Sequence, residues 1–207
     1  MSGLIMGASS GRDAAASSRR MAETRGIGID YRAAVLCHAC YADPGVMPDC
    51  AACRGTGRAT SMPLCDDPWN EVVPRLWQGG HDVRSQSRSA CVVGAEFDLV
   101  VSLATREGYG PDPGVEHIVV RLADAVLDDG AAARVDELAV RVAEAVESGR
   151  RVLVRCSGGL NRSGLVVANA LVRMGRTPEQ AMALVRAARG PWSLTNPAFV
   201  QHLSTSA

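Results

Sequence analysis

The residues best suited to chemistry stand in one segment, Cys156-Ser157-Gly158-Gly159-Leu160-Asn161-Arg162-Ser163. The cysteine offers a sulfur nucleophile, and the arginine a planar cationic fork matched to two oxygens of a phosphate. A loop between a strand and a helix turns backbone N–H groups inward as an anion-binding nest, and the helix adds the positive end of its dipole. Gly158 and Gly159 remove side chains where backbone must approach the anion closely. Such surroundings also favour a thiolate. Cys156 is therefore expected to be a nucleophile placed under the phosphorus of a bound ester. Ser163, in reach of the same sulfur, could donate a hydrogen bond that eases its departure. The competing assignment is a buried structural thiol with Arg162 on a helix surface. Only Cys156 among the seven cysteines has the Cys-x5-Arg-Ser spacing, which favours the chemical assignment.

The elements that must hold this segment are legible on either side of it. Arg151–Arg155 reads as a buried strand, and Ser163–Met174 as a helix ending at Gly175. Three more strands are expected at Glu71–Trp77, Phe97–Leu103 and Val115–Leu122, the last two being aliphatic runs suited to burial on both faces. A helix over Ala131–Ser148 carries the stripe Val135, Leu138, Val142, Val146, with Gly149 at its C-cap. Thr177-Pro178-Glu179-Gln180 is a capping box with proline at the first helical position, and a last short helix starts near Asn196-Pro197. Alternating strands and helices imply an α/β fold, a mostly parallel twisted sheet with helices on both faces.

Expelling an alkoxide or phenolate needs a proton donor opposite the thiolate. Asp124, Asp128 and Asp129 follow the third strand, and the last two directly precede the Ala131 helix, where carboxylates act as caps.

Val154-Arg-Cys156-Ser-Gly-Gly-Leu-Asn-Arg162-Ser163-Gly resembles the signature loop of the dual-specificity branch of the protein tyrosine phosphatases. Glu71-Val-Val-Pro-Arg-Leu-Trp-Gln-Gly-Gly80 resembles that family's opening strand and turn. Pro178-Glu-Gln-Ala-Met-Ala-Leu-Val-Arg186 and Asn196-Pro-Ala-Phe-Val-Gln resemble its closing helices, so the likeness covers most of residues 70–203. It implies metal-free hydrolysis of phosphate monoesters on a phosphoprotein through a phosphocysteine on Cys156. It also implies that Asp124, just past the third strand, is the general acid and later the base that activates water. The family's usual histidine before the nucleophile is replaced by Arg155. A permanently charged arginine is expected to pair with a carboxylate or to reach the surface.

Upstream, Cys37-His-Ala-Cys40 and Cys50-Ala-Ala-Cys53 have the spacing of a structural four-cysteine zinc site, with metal supplying the folding energy of a segment too small for a core. A redox disulfide pair or an unstructured leader are the alternatives. His38 reads as a bystander, Cys65 and Cys91 as ordinary thiols, and His81 and His117 carry no assignment.

Zero formal net charge and an apolar content of 47% fit a globular protein and point to neither nucleic acid nor an anionic membrane as partner. All 22 basic residues are arginine, a composition bias that says little about function. No apolar run is long enough to span a bilayer and no signal-peptide core is evident, so a cytoplasmic location with reduced cysteines is expected. Residues 1–30 read as a disordered tail, with Met21 an alternative start. Residues 31–62 read as the zinc segment and 66–207 as a catalytic domain of dual-specificity phosphatase type. With no long insertion, the resemblance implies a shallow pocket open to phosphotyrosine, phosphoserine and phosphothreonine. The loop lacks the lysines that lipid-directed relatives tend to carry, which lowers but does not exclude a lipid substrate. Two other functions share the motif. One is a phosphate-binding module without useful turnover, the other a rhodanese-like sulfurtransferase.

Overall fold

The computed structural model describes residues 65, 67–81, 93–104, 110–190 and 192–205. The expected tail, Cys37, Cys40, Cys50, Cys53 and Cys91 lie outside these residues.

The first expected strand proves to be a hairpin. β1 (Trp69–Val73) and β2 (Leu76–Gly80) pair antiparallel, with an irregularity between Glu71 and Val73. Pro74, which has no N–H for a ladder, ends β1, and Arg75 turns the chain with φ of 72°. The Arg75 N–H is taken by Glu71 Oε1 at 3.1 Å. β3 (Leu99–Ser102) and β4 (Glu116–Val119) fall inside their expected ranges, shorter by a few residues, and β5 (Val152–Cys156) is shifted one residue later to reach the cysteine. The sheet order is β1-β2-β5-β3-β4, parallel except for the hairpin.

Strand alternation divides the core in two. Leu76, Leu99, Val101, Val152, Val154 and Cys156 face a cluster built with the helices. Val100 and Leu153 face the other side, with Val93, Phe97, Trp69 and Trp77. There Phe97 meets Trp69 and Trp77 edge to face, with ring centroids 5.5 and 5.3 Å apart. Every described helix contributes to the first cluster and none to the second. The expected sheet flanked by helices is found, and the described helices pack on the first cluster.

Helix α1 (Asp129–Glu147) begins at Asp128, whose carboxylate accepts from Ala131 N at 2.7 Å, and it buries the expected stripe. Helix α2 (Arg162–Arg173) follows the cysteine loop and is buried along most of its length, so it sits between the sheet and its neighbours. The capping box of α3 (Pro178–Arg189) forms as expected, with Gln180 N on Thr177 Oγ1 and Thr177 N on Gln180 Oε1. Helix α4 (Pro197–Thr205) buries Phe199 and Leu203. No described helix is long and apolar enough to cross a membrane.

Candidate active site

Cys156 ends β5 with 2% of its surface exposed, where the parallel register sets it beside Gly80 of β2. The chain then turns through residues 157–161 into α2. His81 N donates to the carbonyls of Cys156 and Ser157 at 3.0 and 2.7 Å, sewing the start of the loop to the end of β2. Glycine is needed on both sides of this seam. A Cβ on Gly80 would lie 2.7 Å from Gly159 N, and one on Gly159, whose φ is +70°, 2.5 Å from Gly79 C. Gly159 is therefore required by the strand behind the loop, a reason other than the expected approach to an anion.

Ser163 Oγ lies 3.4 Å from Cys156 Sγ, as the spacing anticipated. Arg162 opens α2; its Nη1 donates to Leu122 O at 3.3 Å, while its buried Nε has no partner among the described residues. A buried guanidinium N–H left over beside a nest of amides suits an oxyanion. The helix itself takes no side-chain cap from Asn161. That side chain is engaged elsewhere, which leaves the first-turn N–H groups open to a ligand.

Asn161 instead joins three segments. Its Nδ2 donates to Asp124 Oδ2 at 3.3 Å, and its Oδ1 accepts from Thr195 N at 2.9 Å, Thr195 Oγ1 at 3.3 Å and Asn196 N at 3.4 Å. Asn196 Nδ2 reaches Asp124 Oδ1 at 3.0 Å. Asp124 is therefore half-buried and held against the cysteine loop by two amides, each itself 2% exposed. Asp128 is turned away as the α1 cap and Asp129 is the exposed first residue of that helix.

Arg155 does not reach the surface. It is 1% exposed, on the sheet face opposite the helices, and its Nε donates to Ser102 Oγ at 3.0 Å. Ser102 Oγ lies 2.9 Å from His117 Nε2, so a polar row crosses β5, β3 and β4 behind Cys156. Burial, and after it the charge of Arg155, pulls the His117 imidazole below its ordinary value. His81, also buried, places Nε2 2.7 Å from Ala104 O.

Two further residues escaped sequence reasoning. Arg189, at the end of α3, donates to Gly159 O at 3.1 Å, Asp67 O at 2.7 Å, Pro68 O at 3.2 Å and Asn70 Oδ1 at 2.6 Å, tying the loop to the entry of β1. Gln78 of β2 reaches the loop from below through Gly159 O and Leu160 O. A polar residue two places from Leu76, at an inward strand position, was the available signal for Gln78. Arg189 offered none, since nothing in its sequence surroundings marks it apart from the other arginines.

No protein-family model matches the chain, and no curated protein does. Solved structures do match. Human DUSP28 aligns at 27% identity with a TM-score of 0.55, over 69% of this chain and 94% of its own. A mouse protein described as a dual specificity phosphatase, solved with zinc tungstate, aligns at 26% identity and a TM-score of 0.53, over 72% and 92%. The fold is that of the dual-specificity phosphatases. Tk-PTP in its active form, at 22% identity and a TM-score of 0.50, over 66% of this chain and 93% of its own, shares the fold alone.

Proposed function

We propose that this protein hydrolyses phosphate monoesters of phosphoproteins through a phosphocysteine on Cys156. The carrying observation is convergence: a nucleophile from β5 and a carboxylate from the segment after β4 meet on one loop, joined by Asn161. In this reading the loop N–H groups of residues 157–162 and the Arg162 guanidinium hold the phosphoryl oxygens. Sulfur attacks phosphorus as the P–O bond to the leaving group breaks, and Asp124 gives that oxygen its proton. Asp124 then takes a proton from water, which attacks phosphorus. The P–S bond breaks, with Ser163 donating to the departing sulfur. No step requires a metal.

The test is hydrolysis of an aryl phosphate and of phosphotyrosine, phosphoserine and phosphothreonine peptides. Cys156→Ser should reduce turnover to background; full activity in that variant sinks the covalent mechanism. A second reading, a phosphate-binding module of low turnover, draws on Arg155 in place of the family's histidine. Phosphopeptide binding without release of phosphate over hours would favour it. Thiosulfate sulfurtransfer would instead reveal a rhodanese-like enzyme.

Independently, the spacing of Cys37, Cys40, Cys50 and Cys53 supports a structural zinc site outside the catalytic domain. One zinc per full-length chain, lost in a Cys37→Ser, Cys40→Ser variant, is the expected metal analysis.

A further inference from the structure

We propose that Gln78 is a positioning residue for the catalytic loop, a role that rests on the phosphate-ester reading above. Its side chain shares the helix-side face of β2 with Leu76, opposite Val154 of β5, and is fully buried. The amide nitrogen lies 3.0 Å from Gly159 O, 3.1 Å from Leu160 O and 3.5 Å from Ser163 Oγ.

Each carbonyl contact fixes a direction. In a trans peptide the carbonyl and the next residue's N–H point opposite ways. Drawing the Gly159 and Leu160 carbonyls toward β2 therefore turns the N–H groups of Leu160 and Asn161 away from it, to the side where an oxyanion would sit. Arg189 Nε secures the Gly159 carbonyl a second time, at 3.1 Å. With both amide hydrogens turned to the carbonyls, the 3.5 Å approach to Ser163 Oγ is at most a shared contact, and the hydroxyl lies 3.4 Å from Cys156 Sγ. One amide thus orients two successive peptides of the anion cradle.

The energetics argue that these donors matter. Gln78 Oε1 is buried and has no partner among the described residues, an arrangement that disfavours folding. An apolar side chain at this inward position would leave no such atom. A core polar group held against stability belongs with residues kept for function. Gly164 fits the same picture, since a Cβ there would come within 3.2 Å of Gln78 Nε2.

Gln78→Leu in the full chain is the test, read at Cys156 by mass spectrometry as iodoacetamide alkylation rate and its protection by inorganic phosphate. Phosphate protection should weaken on the order of tenfold and alkylation should slow, because preorganised donors are lost. The urea midpoint should hold or rise. Unchanged protection and alkylation in the folded variant overturn the proposal, as does a lowered midpoint with both readouts intact. If the leucine variant fails to fold, Gln78→Asn keeps the amide but is too short to span both carbonyls, and the same losses are required of it. Absence of phosphate protection in the wild type would overturn the phosphate-ester reading itself, and this proposal with it.

Discussion

The two ends of the parallel strands handle polarity in opposite ways. At the C-terminal ends, Gln78, Ser163, Asn161 and Asn196, each 0–2% exposed, hold the Cys156 loop and Asp124 through hydrogen bonds in which all the donors are neutral. At the N-terminal ends, Arg151 pairs with Asp98 at 2.9 Å, and Glu116 with Arg141 and Arg150 at 2.9 and 2.6 Å, all with side chains 32–52% exposed. The distances are alike at both ends; the surroundings are not. Exposed ion pairs are screened and loosely held, so they contribute little and specify little. Buried amides have no water to fall back on, so their geometry is enforced. The end that holds Cys156 and Asp124 is the end built from groups that cannot relax.

Breaking the buried end at its acid should have the largest effect. Asp124→Asn should slow hydrolysis of an aryl phosphate with a poor leaving group by roughly 10²–10⁴, the range for general acids, and a good leaving group much less. Equal losses for both would move the acid elsewhere. Next, Asn161→Ala should reproduce the same leaving-group dependence in milder form, about fivefold for the lost hydrogen bond to Asp124 of about 1 kcal/mol. A uniform loss across leaving groups would detach Asn161 from the acid.

The polar row behind Cys156 should show itself in stability against pH. The folded His117 value lies below the unfolded one, so the folded state binds fewer protons between the two. Its contribution is present above the ordinary histidine value and is lost as pH falls through that value toward the folded one. His117→Gln should flatten urea midpoints between about pH 7 and pH 5, the window beneath the ordinary histidine value; an unaltered slope would remove His117 from the row. At the exposed end the effect should be smallest. The Arg151 side chain and N–H hold Asp98 at a pKa of about 2. That contribution is present above the ordinary carboxylate range and is lost as pH falls through about 2. Asp98→Asn should lower the midpoint only slightly at neutral pH, where the screened pair contributes, and should flatten its fall on the acid limb. A large change at neutral pH would show that this end is not dominated by solvent.

The strands and helices of the helix-covered face were legible because their cores are aliphatic runs and stripes of period 3.6, and because Thr177 and Asp128 mark helix starts by local hydrogen bonds. The hairpin was missed although Pro74 stood inside the expected strand, since an apolar run on both sides of it outweighed a single breaker. Of the two outcomes expected for Arg155, a carboxylate partner or the surface, its 1% exposure excludes the surface, and Ser102 from β3 takes its Nε.

Cys156, Arg162, Ser163 and Asp124 were singled out by residue type, spacing and family likeness, because the proposed chemistry demands particular functional groups and one loop presents most of them. Which atoms hold that loop was decided only by the tertiary structure. Gln78, Arg189, Asn161 and Asn196 come from β2, α3, the loop itself and the start of α4, and no local pattern links them. Hydrogen bonds spanning 30 to 81 residues depend on where the sheet and helices finally pack, and that packing is set by the whole apolar core. The sequence by itself determined what could react; the fold decided what would hold it in place.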